Sequence, residues 1–179
     1  FLRTELGSVP YRLYEQLGFR GIEPASRVME LYAGDAAAFH EAWFAPGPTA
    51  VVEPAWPHWP ASTPLFAANT PGAVRCVGRG LLGRQITEGP FLAIVRDHEE
   101  AVERGKPSTA RVAVQTETRA VVGFAQVARD SQWPAQRLVD VHCHPLFAQH
   151  GEALLRELPL LGDTRLVAYV DAGPTWKEE

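Results

Sequence analysis

Two apolar, valine-rich runs joined by a short polar turn constrain the fold of this chain most strongly. The runs cover residues 111–116 and 121–128, and Thr116-Glu-Thr-Arg lies between them. Runs of this length and composition with a polar turn are typical of an antiparallel hairpin. A third apolar run at residues 138–143 is predicted as the next antiparallel strand.

A helix and one more strand are predicted beyond this hairpin. Residues 149–158 have a helical pattern, and residues 165–171 form a short apolar run. Because a helix crosses between strands 138–143 and 165–171, these two strands should be parallel neighbours. We therefore predict an α/β fold with a mixed, mostly antiparallel sheet flanked by helices.

The part of the chain before the hairpin divides at Ala45-Pro-Gly-Pro, which we interpret as a domain boundary. Before it, a helix, two strands and a helix capped by Asp35 are predicted at residues 8–17, 19–23, 27–32 and 35–44. After it, a strand, a proline-interrupted helix and a helix closed by Gly105 are predicted at residues 49–53, 56–68 and 91–104.

Composition narrows the classes of partner and compartment. A net charge of −4 argues against nucleic acid or an anionic membrane surface as the main partner. No apolar run approaches the roughly 18 residues of a membrane span, and no signal peptide is recognisable. Cys76 and Cys143 lack the spacing of a disulfide framework, which favours free thiols in the cytoplasm. The chain begins with Phe1, so we expect it to be a piece of a longer protein.

The run Leu-Tyr-Glu-Gln-Leu-Gly-Phe at residues 13–19 is predicted as the end of a helix, a glycine stop and the start of a strand. This run resembles the last helix-to-strand junction of GNAT-type N-acetyltransferases. The resemblance implies a catalytic role for Tyr14, which would protonate the departing coenzyme A thiolate. In that family the junction lies near the end of a domain, whereas here it lies near the start of the chain.

A second stretch is similar to the GNAT pyrophosphate-binding pattern. Cys143-His-Pro is followed by Ala148-Gln-His-Gly-Glu-Ala, with Cys143 in place of valine and Ala148 in place of arginine or glutamine. The resemblance implies that acetyl-CoA is the substrate cofactor and that backbone N–H groups at a helix start bind its pyrophosphate. The implied cofactor-binding residues are Cys143, Gln149, His150, Gly151, Glu152 and Ala153. An ordinary strand–turn–helix is the alternative.

His142 and His144 flank Cys143, and strand alternation places both imidazoles on one face. A His-x-His pair can bind zinc, with His150 as a further ligand, but no second pair of ligands lies nearby, and we predict no metal. The same histidines could instead be structural. We favour a place at the edge of the acceptor cleft, where His144 takes a proton from an amine.

Gly78, Gly80 and Gly83 spell a second glycine-rich pattern, with Arg75 at the position of the family arginine. A lone glycine triplet is a weak signal, and the strand order around it would be wrong for the GNAT fold. We predict a flexible loop, in which Gly78→Val would have little effect on acetyl-CoA binding.

The resemblance implies a tandem protein. Residues 1–33 would be the last helix and strands of a preceding GNAT-like module, residues 34–47 a linker helix and break, and residues 48–179 a second module without its last helix and strands. Residues 8–32 would close the sheet of the second module, within one chain or by exchange in a homodimer. They would otherwise complete a missing first module or pack elsewhere. We expect their apolar residues to be buried: Leu13, Leu17, Phe19, Ile22, Val28, Met29 and Leu31.

The function implied by the resemblance is acetyl-CoA-dependent N-acetyl transfer to a primary amine on a small molecule or a peptide. Trp43, Trp56 and Trp59 are candidates to line the acceptor pocket, with aromatic core packing as the alternative. The second hypothesis is a GNAT-like module without catalysis that acts as a binding or interface domain. The alanine at position 148 favours it.

Overall fold

A computed structural model describes residues 1–130, 132–159 and 165–171. The first half of the described chain contains β1 (Leu2–Arg3), α1 (Val9–Gln16), β2 (Arg20–Gly21), β3 (Val28–Glu30), α2 (Ala36–Trp43), β4 (Thr49–Val52), α3 (His58–Ala67), β5 (Val74–Cys76) and β6 (Leu81–Leu82). The second half contains α4 (Glu88–Glu103), β7 (Ala110–Gln115), β8 (Val121–Arg129), β9 (Gln136–Cys143), α5 (Gly151–Arg156) and β10 (Arg165–Val167).

The main sheet has the strand order β10-β9-β8-β7-β4. β7, β8 and β9 are consecutive antiparallel neighbours, and β10 lies parallel to β9. Both arrangements confirm the predictions from the apolar runs and from the helix that crosses between the last two strands. The mixed, mostly antiparallel α/β fold is therefore confirmed.

Helices cover both faces of this sheet. On one face, Phe66 of α3 and Phe91 of α4 pack against Phe124 of β8, with ring centroids 6.0 Å and 5.4 Å from it. On the other face, Leu154 of α5 packs over Gly123, where a side chain on β8 would meet it. This two-sided burial explains why β8 is apolar almost throughout instead of alternating.

Residues 1–32 form a separate three-stranded sheet with the order β1-β3-β2. The predicted closure of the main sheet by this segment within one chain is therefore wrong. Ile22 and Val28 pack instead with Ile86, which precedes α4, and Arg84 donates a hydrogen bond to the Ile22 carbonyl at 2.6 Å. The arrangement is local packing of the N-terminal segment on the loop after β6.

The expectation that all apolar residues of this segment are buried is only partly confirmed. Met29 is fully buried, and Ile22 and Val28 are nearly so. Leu13, Leu17 and Leu31 are instead 52%, 60% and 48% exposed. The small sheet buries Tyr11 as the single fully covered residue of the two-turn helix α1, so its leucines remain at the surface.

The glycine-rich segment at 75–83 is not the flexible loop that we predicted. It forms the antiparallel pair β5–β6 around a short 3₁₀ turn at Val77–Arg79, and Gly80 and Gly83 adopt φ values of 69° and 67° that favour glycine. The helix predicted at residues 149–158 is also corrected. A 3₁₀ helix at Pro145–His150 precedes the shorter α5.

Two further predictions concern the end of the chain. Strand 165–171 is present but covers only Arg165–Val167. A helix start at Thr175 lies outside the described residues. None of the helices in the described ranges is long and apolar enough to cross a membrane.

Candidate functional site

The parting of β9 and β10 creates an open edge in the main sheet. Their pairing ends at Leu138 and Val167, and residues 168–170 have no strand conformation. The His144 amide donates to the Val122 carbonyl at 2.9 Å, so even-numbered residues of β9 direct their backbone groups toward β8. The backbone groups of Val139, Val141 and Cys143 consequently face the opening beside β10.

The predicted cofactor-binding residues lie where β9 turns into α5. Gln149 is exposed, the His150 ring lies 6.2 Å from that of Phe147, and Glu152 is paired with Arg156 at 2.6 Å. Ala153 is also exposed. The structure thus brings these residues together at one turn next to the open edge, with Cys143 at the end of β9.

Gly151 begins α5 in an ordinary helical conformation, beside the end of β9. Its backbone has ordinary helical angles, φ −58° and ψ −41°, and its N–H donates to the Ala148 carbonyl. A Cβ atom would meet Cys143 Sγ and Val141 Cγ2 at 3.9 Å, which is normal contact. A methyl group would therefore fit at this position, in contact with the Cys143 side chain of β9. Burial raises the pKa of the Cys143 thiol to about 11, so the thiol stays protonated.

His144 stands at the head of the turn and packs against α2. Its ring stacks on Phe44 with a centroid distance of 4.1 Å and an angle of 11°, and its Nδ1 accepts a hydrogen bond from the Leu146 amide at 3.4 Å. Burial lowers the pKa of His144, and the nearby His40 lowers it further. A half-buried neutral imidazole is able to accept a proton from a bound reactant.

A hydrogen-bonded chain that sequence reasoning missed lies beside His144. The Tyr32 hydroxyl lies 3.0 Å from Glu30 Oε2 and 2.9 Å from His40 Nε2. The His40 ring in turn stacks on Phe44, and burial, with Glu30, raises the pKa of Tyr32. This chain links the N-terminal sheet to the turn after β9. No spacing pattern reveals it, because about a hundred residues separate its members from His144.

His142 is part of the interior, on the α3 side of the sheet. Arg75 Nη1 lies 3.1 Å from its Nε2, and the Leu65 carbonyl accepts a hydrogen bond from the ring. Burial and Arg75 lower the pKa of His142 to about 4. Among the residues that the structure describes, no group of three histidine, cysteine or acidic side chains is placed to hold a metal ion.

The glycine-rich turn between β5 and β6 binds an internal carboxylate. The Val77 and Gly78 amides donate to Asp140 at 2.7 Å and 3.0 Å, and Gln126 Nε2 donates to it at 2.8 Å. A Cβ atom on Gly78 would lie 2.7 Å from both Ala128 Cβ and Asp140 Oδ2. Asp140 thus takes the place that a phosphate has in a glycine-rich loop. The sequence signal for this contact was one polar residue in each of two otherwise apolar strands, Gln126 in β8 and Asp140 in β9.

Tyr14 belongs to α1 of the N-terminal segment. It is half-buried on α1, and its ring packs edge-on against Phe19 at 5.6 Å. Within the described ranges, no hydrogen bond or aromatic contact joins Tyr14 to residues 143–153. Its role as the thiolate acid stays a prediction.

An apolar cavity of about 690 Å³ lies between α2, α3 and the outer strands β4 and β7. Trp43 lines it, together with Phe39 and Pro60. Trp59 packs against the core, whereas Trp56 is 45% exposed and donates a hydrogen bond to Glu99. Of the three tryptophans considered for an acceptor pocket, only Trp43 therefore borders this space.

The chain was compared with models of known protein families and with curated proteins. No model of a known protein family matches the chain, and no curated protein matches it.

Proposed function

We propose that residues 49–171 form an acetyl-CoA-dependent N-acetyltransferase-like module that acts on a primary amine of a small molecule or a peptide. The connectivity of the main sheet carries this proposal. Strand β4, the helices α3 and α4, the antiparallel strands β7, β8 and β9, the crossing helix α5 and the parallel strand β10 follow one another in the order that the GNAT resemblance implies. The separate β5–β6 pair is an addition to this order and lies between α3 and α4. The parallel pair separates after Leu138, beside the part of β9 that leads to the turn at residues 143–153, where the resemblance implies that the coenzyme binds.

The open edge of β9 suits the amide-containing arm of coenzyme A. The backbone groups of Val139, Val141 and Cys143 face the opening, and an extended ligand with amide groups can hydrogen-bond to such an edge like an added strand. The pyrophosphate would then lie toward residues 149–153. There its main contacts would be exposed backbone and side chains, because the Gly151 N–H already bonds to Ala148.

His144 is the residue best placed to handle the acceptor's proton. In the proposed reaction the amine nitrogen attacks the thioester carbonyl, the C–S bond breaks, and the nitrogen loses a proton. Neutral His144, stacked on Phe44 at the edge of the turn, would accept that proton at Nδ1, and the long 3.4 Å hydrogen bond from the Leu146 amide to this atom would break. The departing thiolate would take up a proton, for which Tyr14 remains the predicted donor.

A module that binds without catalysing is the second candidate. Ala148 offers no side-chain donor to a phosphate, and the Gly151 N–H is engaged within the 3₁₀ helix. Both features weaken the phosphate contacts that catalysis by this family would use. They favour a domain whose role is binding or interface formation.

Titration calorimetry with acetyl-CoA on Ala148 variants tests the proposal. Ala148 is exposed, so substitutions there should not disturb folding. Ala148→Arg should tighten acetyl-CoA binding about ten-fold by adding a charge-assisted hydrogen bond to the pyrophosphate, and Ala148→Glu should weaken it. Ala37→Arg, at an exposed position of α2, adds the same charge elsewhere and should change nothing.

The outcomes separate the two candidates. No heat of binding at millimolar acetyl-CoA, in the wild type and in Ala148→Arg alike, would contradict the proposed function. Binding that responds to Ala148→Arg, without acetylation of any amine in a mixed amine library, would favour the second candidate.

A further inference from the structure

A cleft rich in arginine lies at the end of the main sheet, where β8 ends and β9 begins. Its volume is about 610 Å³, and its charged lining consists of Arg79, Arg104, Arg129, Arg137, Asp97 and Glu100. This volume falls within the range of small-molecule sites, roughly 300–1,000 Å³. Neither the GNAT resemblance nor the site beside α5 accounts for it.

The charges of this cleft do not balance. Arg79 is paired with Asp97, and Arg104 with Glu100 at 2.5 Å. In the part of the chain that the structure describes, Arg129 and Arg137 have no carboxylate partner within 4.0 Å. Among the described residues that line the cleft, arginines therefore outnumber carboxylates by two.

These two arginines lie directly opposite each other on neighbouring strands. Arg129 of β8 is the register partner of Arg137 of β9. Because the His144–Val122 pair is hydrogen-bonded, alternation makes this pair a non-hydrogen-bonded one, in which the facing side chains are closest. Like charges directly opposite in a sheet are destabilising, and an anion between them would remove the repulsion.

Hydrogen bonds hold two of the guanidinium groups in place. Arg79 Nε donates to Gln126 Oε1 at 3.2 Å, and Gln126 itself is buried against Asp140. Arg137 Nη1 donates to the carbonyls of Pro134 and Gln136 at 3.1 Å and 3.0 Å. A site whose donors are already oriented loses less entropy when a ligand binds.

We propose that this cleft binds a small molecule that carries a phosphate monoester. An excess of two guanidinium groups matches one dianion, and a phosphate monoester carries nearly two negative charges at pH 7. Guanidinium groups also bind phosphate through paired hydrogen bonds. The net charge of −4 on the whole chain disfavours a nucleic acid as the ligand.

The cleft is distinct from the turn proposed to bind acetyl-CoA. Arg137 lies near the start of β9 and Cys143 at its end, and six residues of strand span ~20 Å. The inference therefore does not rest on the proposed function. It survives if acetyl-CoA does not bind.

Calorimetric titration with inorganic phosphate at constant ionic strength tests the proposal. The wild type should bind phosphate, whereas Arg129→Gln and Arg137→Gln should each weaken binding about ten-fold through loss of a charge-assisted hydrogen bond. Arg96→Gln removes an exposed arginine of α4 outside the cleft and should leave binding unchanged. Both cleft variants relieve the like-charge repulsion, so their melting temperatures without phosphate should equal or exceed that of the wild type.

Three results would overturn the inference. The first is the absence of phosphate binding to the wild type at tens of millimolar. The second is an equal loss of affinity in Arg96→Gln and in the cleft variants, which would indicate non-specific attraction. The third is displacement of phosphate by acetyl-CoA, because the cleft would then hold the coenzyme's own phosphates and not a separate ligand.

Discussion

The two histidines that flank Cys143 have different surroundings. His142 lies inside the sheet–helix interface between Phe66 and Arg75, whereas His144 stacks on Phe44 at the edge of the turn. The difference arises because β9 ends at Cys143, and His144, whose amide still bonds to the Val122 carbonyl of β8, begins the 3₁₀ helix that follows. Only His144 is therefore suited to proton transfer with a bound reactant.

The environment of His142 predicts a dependence of stability on pH. The unfolded chain takes up a proton on this ring at a pKa near 6.5, and the folded chain only at about 4. The unfolded state binds more protons between these values, so stability is lost as the pH falls through this range. Glutamine keeps one donor and one acceptor but takes up no proton in this range. We therefore expect the unfolding free energy of His142→Gln to fall by about 3 kcal/mol less than that of the wild type between pH 7 and pH 4.

Urea unfolding of the wild type and His142→Gln at several pH values measures this difference. Carboxylates contribute equally to both proteins and cancel in the comparison. Parallel curves of unfolding free energy against pH would contradict the assignment of His142 as a buried neutral imidazole.

The sequence indicated some site residues and not others, for physical reasons. Residues 143–153 are contiguous, so a motif alone places them at one turn. The contact of His144 with Phe44 and the chain from His40 to Glu30 depend on how distant elements pack. Asp140 and Gln126 were visible as polar residues in apolar strands, but the contact of Asp140 with the turn after β5 could not be inferred from local pattern.

Among the elements, the strands of the main sheet were the most predictable. Their apolar runs and the hairpin turn at 116–119 specify the neighbours, and a crossing helix dictates the parallel pair. Short elements were less predictable. Pro145 allows a 3₁₀ start before α5, and the β5–β6 pair is stabilised by Asp140 of another strand instead of by its own sequence pattern.

The packing of the β5–β6 turn predicts that Gly78 is intolerant of substitution. In Gly78→Ala the new methyl group would collide with Ala128 and with the Asp140 carboxylate, so we expect a loss of about 2 kcal/mol. Gly89→Ala is a matched control, because Gly89 lies in α4 with no atom within 4 Å of a Cβ. Thermal and urea unfolding of the wild type and both variants provide the measurement. If Gly78→Ala were as stable as the wild type and Gly89→Ala, the described packing would be contradicted.

At the scale of the whole molecule, the N-terminal segment forms its own sheet on the loop before α4. Met29 is central to it, whereas Leu13 is half exposed on α1. We expect Met29→Ala to lower the unfolding free energy by about 3 kcal/mol and Leu13→Gln to change it by less than about 0.5 kcal/mol. The unfolding free energies of the wild type and of both variants should be the same at two different protein concentrations.

A large loss of unfolding free energy in Leu13→Gln that depends on protein concentration would support exchange of this segment between two chains. In that arrangement the exposed leucines of α1 would be buried at the interface of a dimer. The local packing described for a single chain would then be incomplete.

The central claim is that the parting of β9 and β10, with the turn that follows, binds acetyl-CoA. Hydrogen–deuterium exchange with and without saturating acetyl-CoA tests it most directly, because the open edge consists of backbone amides. We predict slower exchange at residues 139–143 and 149–153, with little change at residues 75–83. Unchanged exchange at the open edge and the turn, or protection confined to residues 75–83, would contradict the claim.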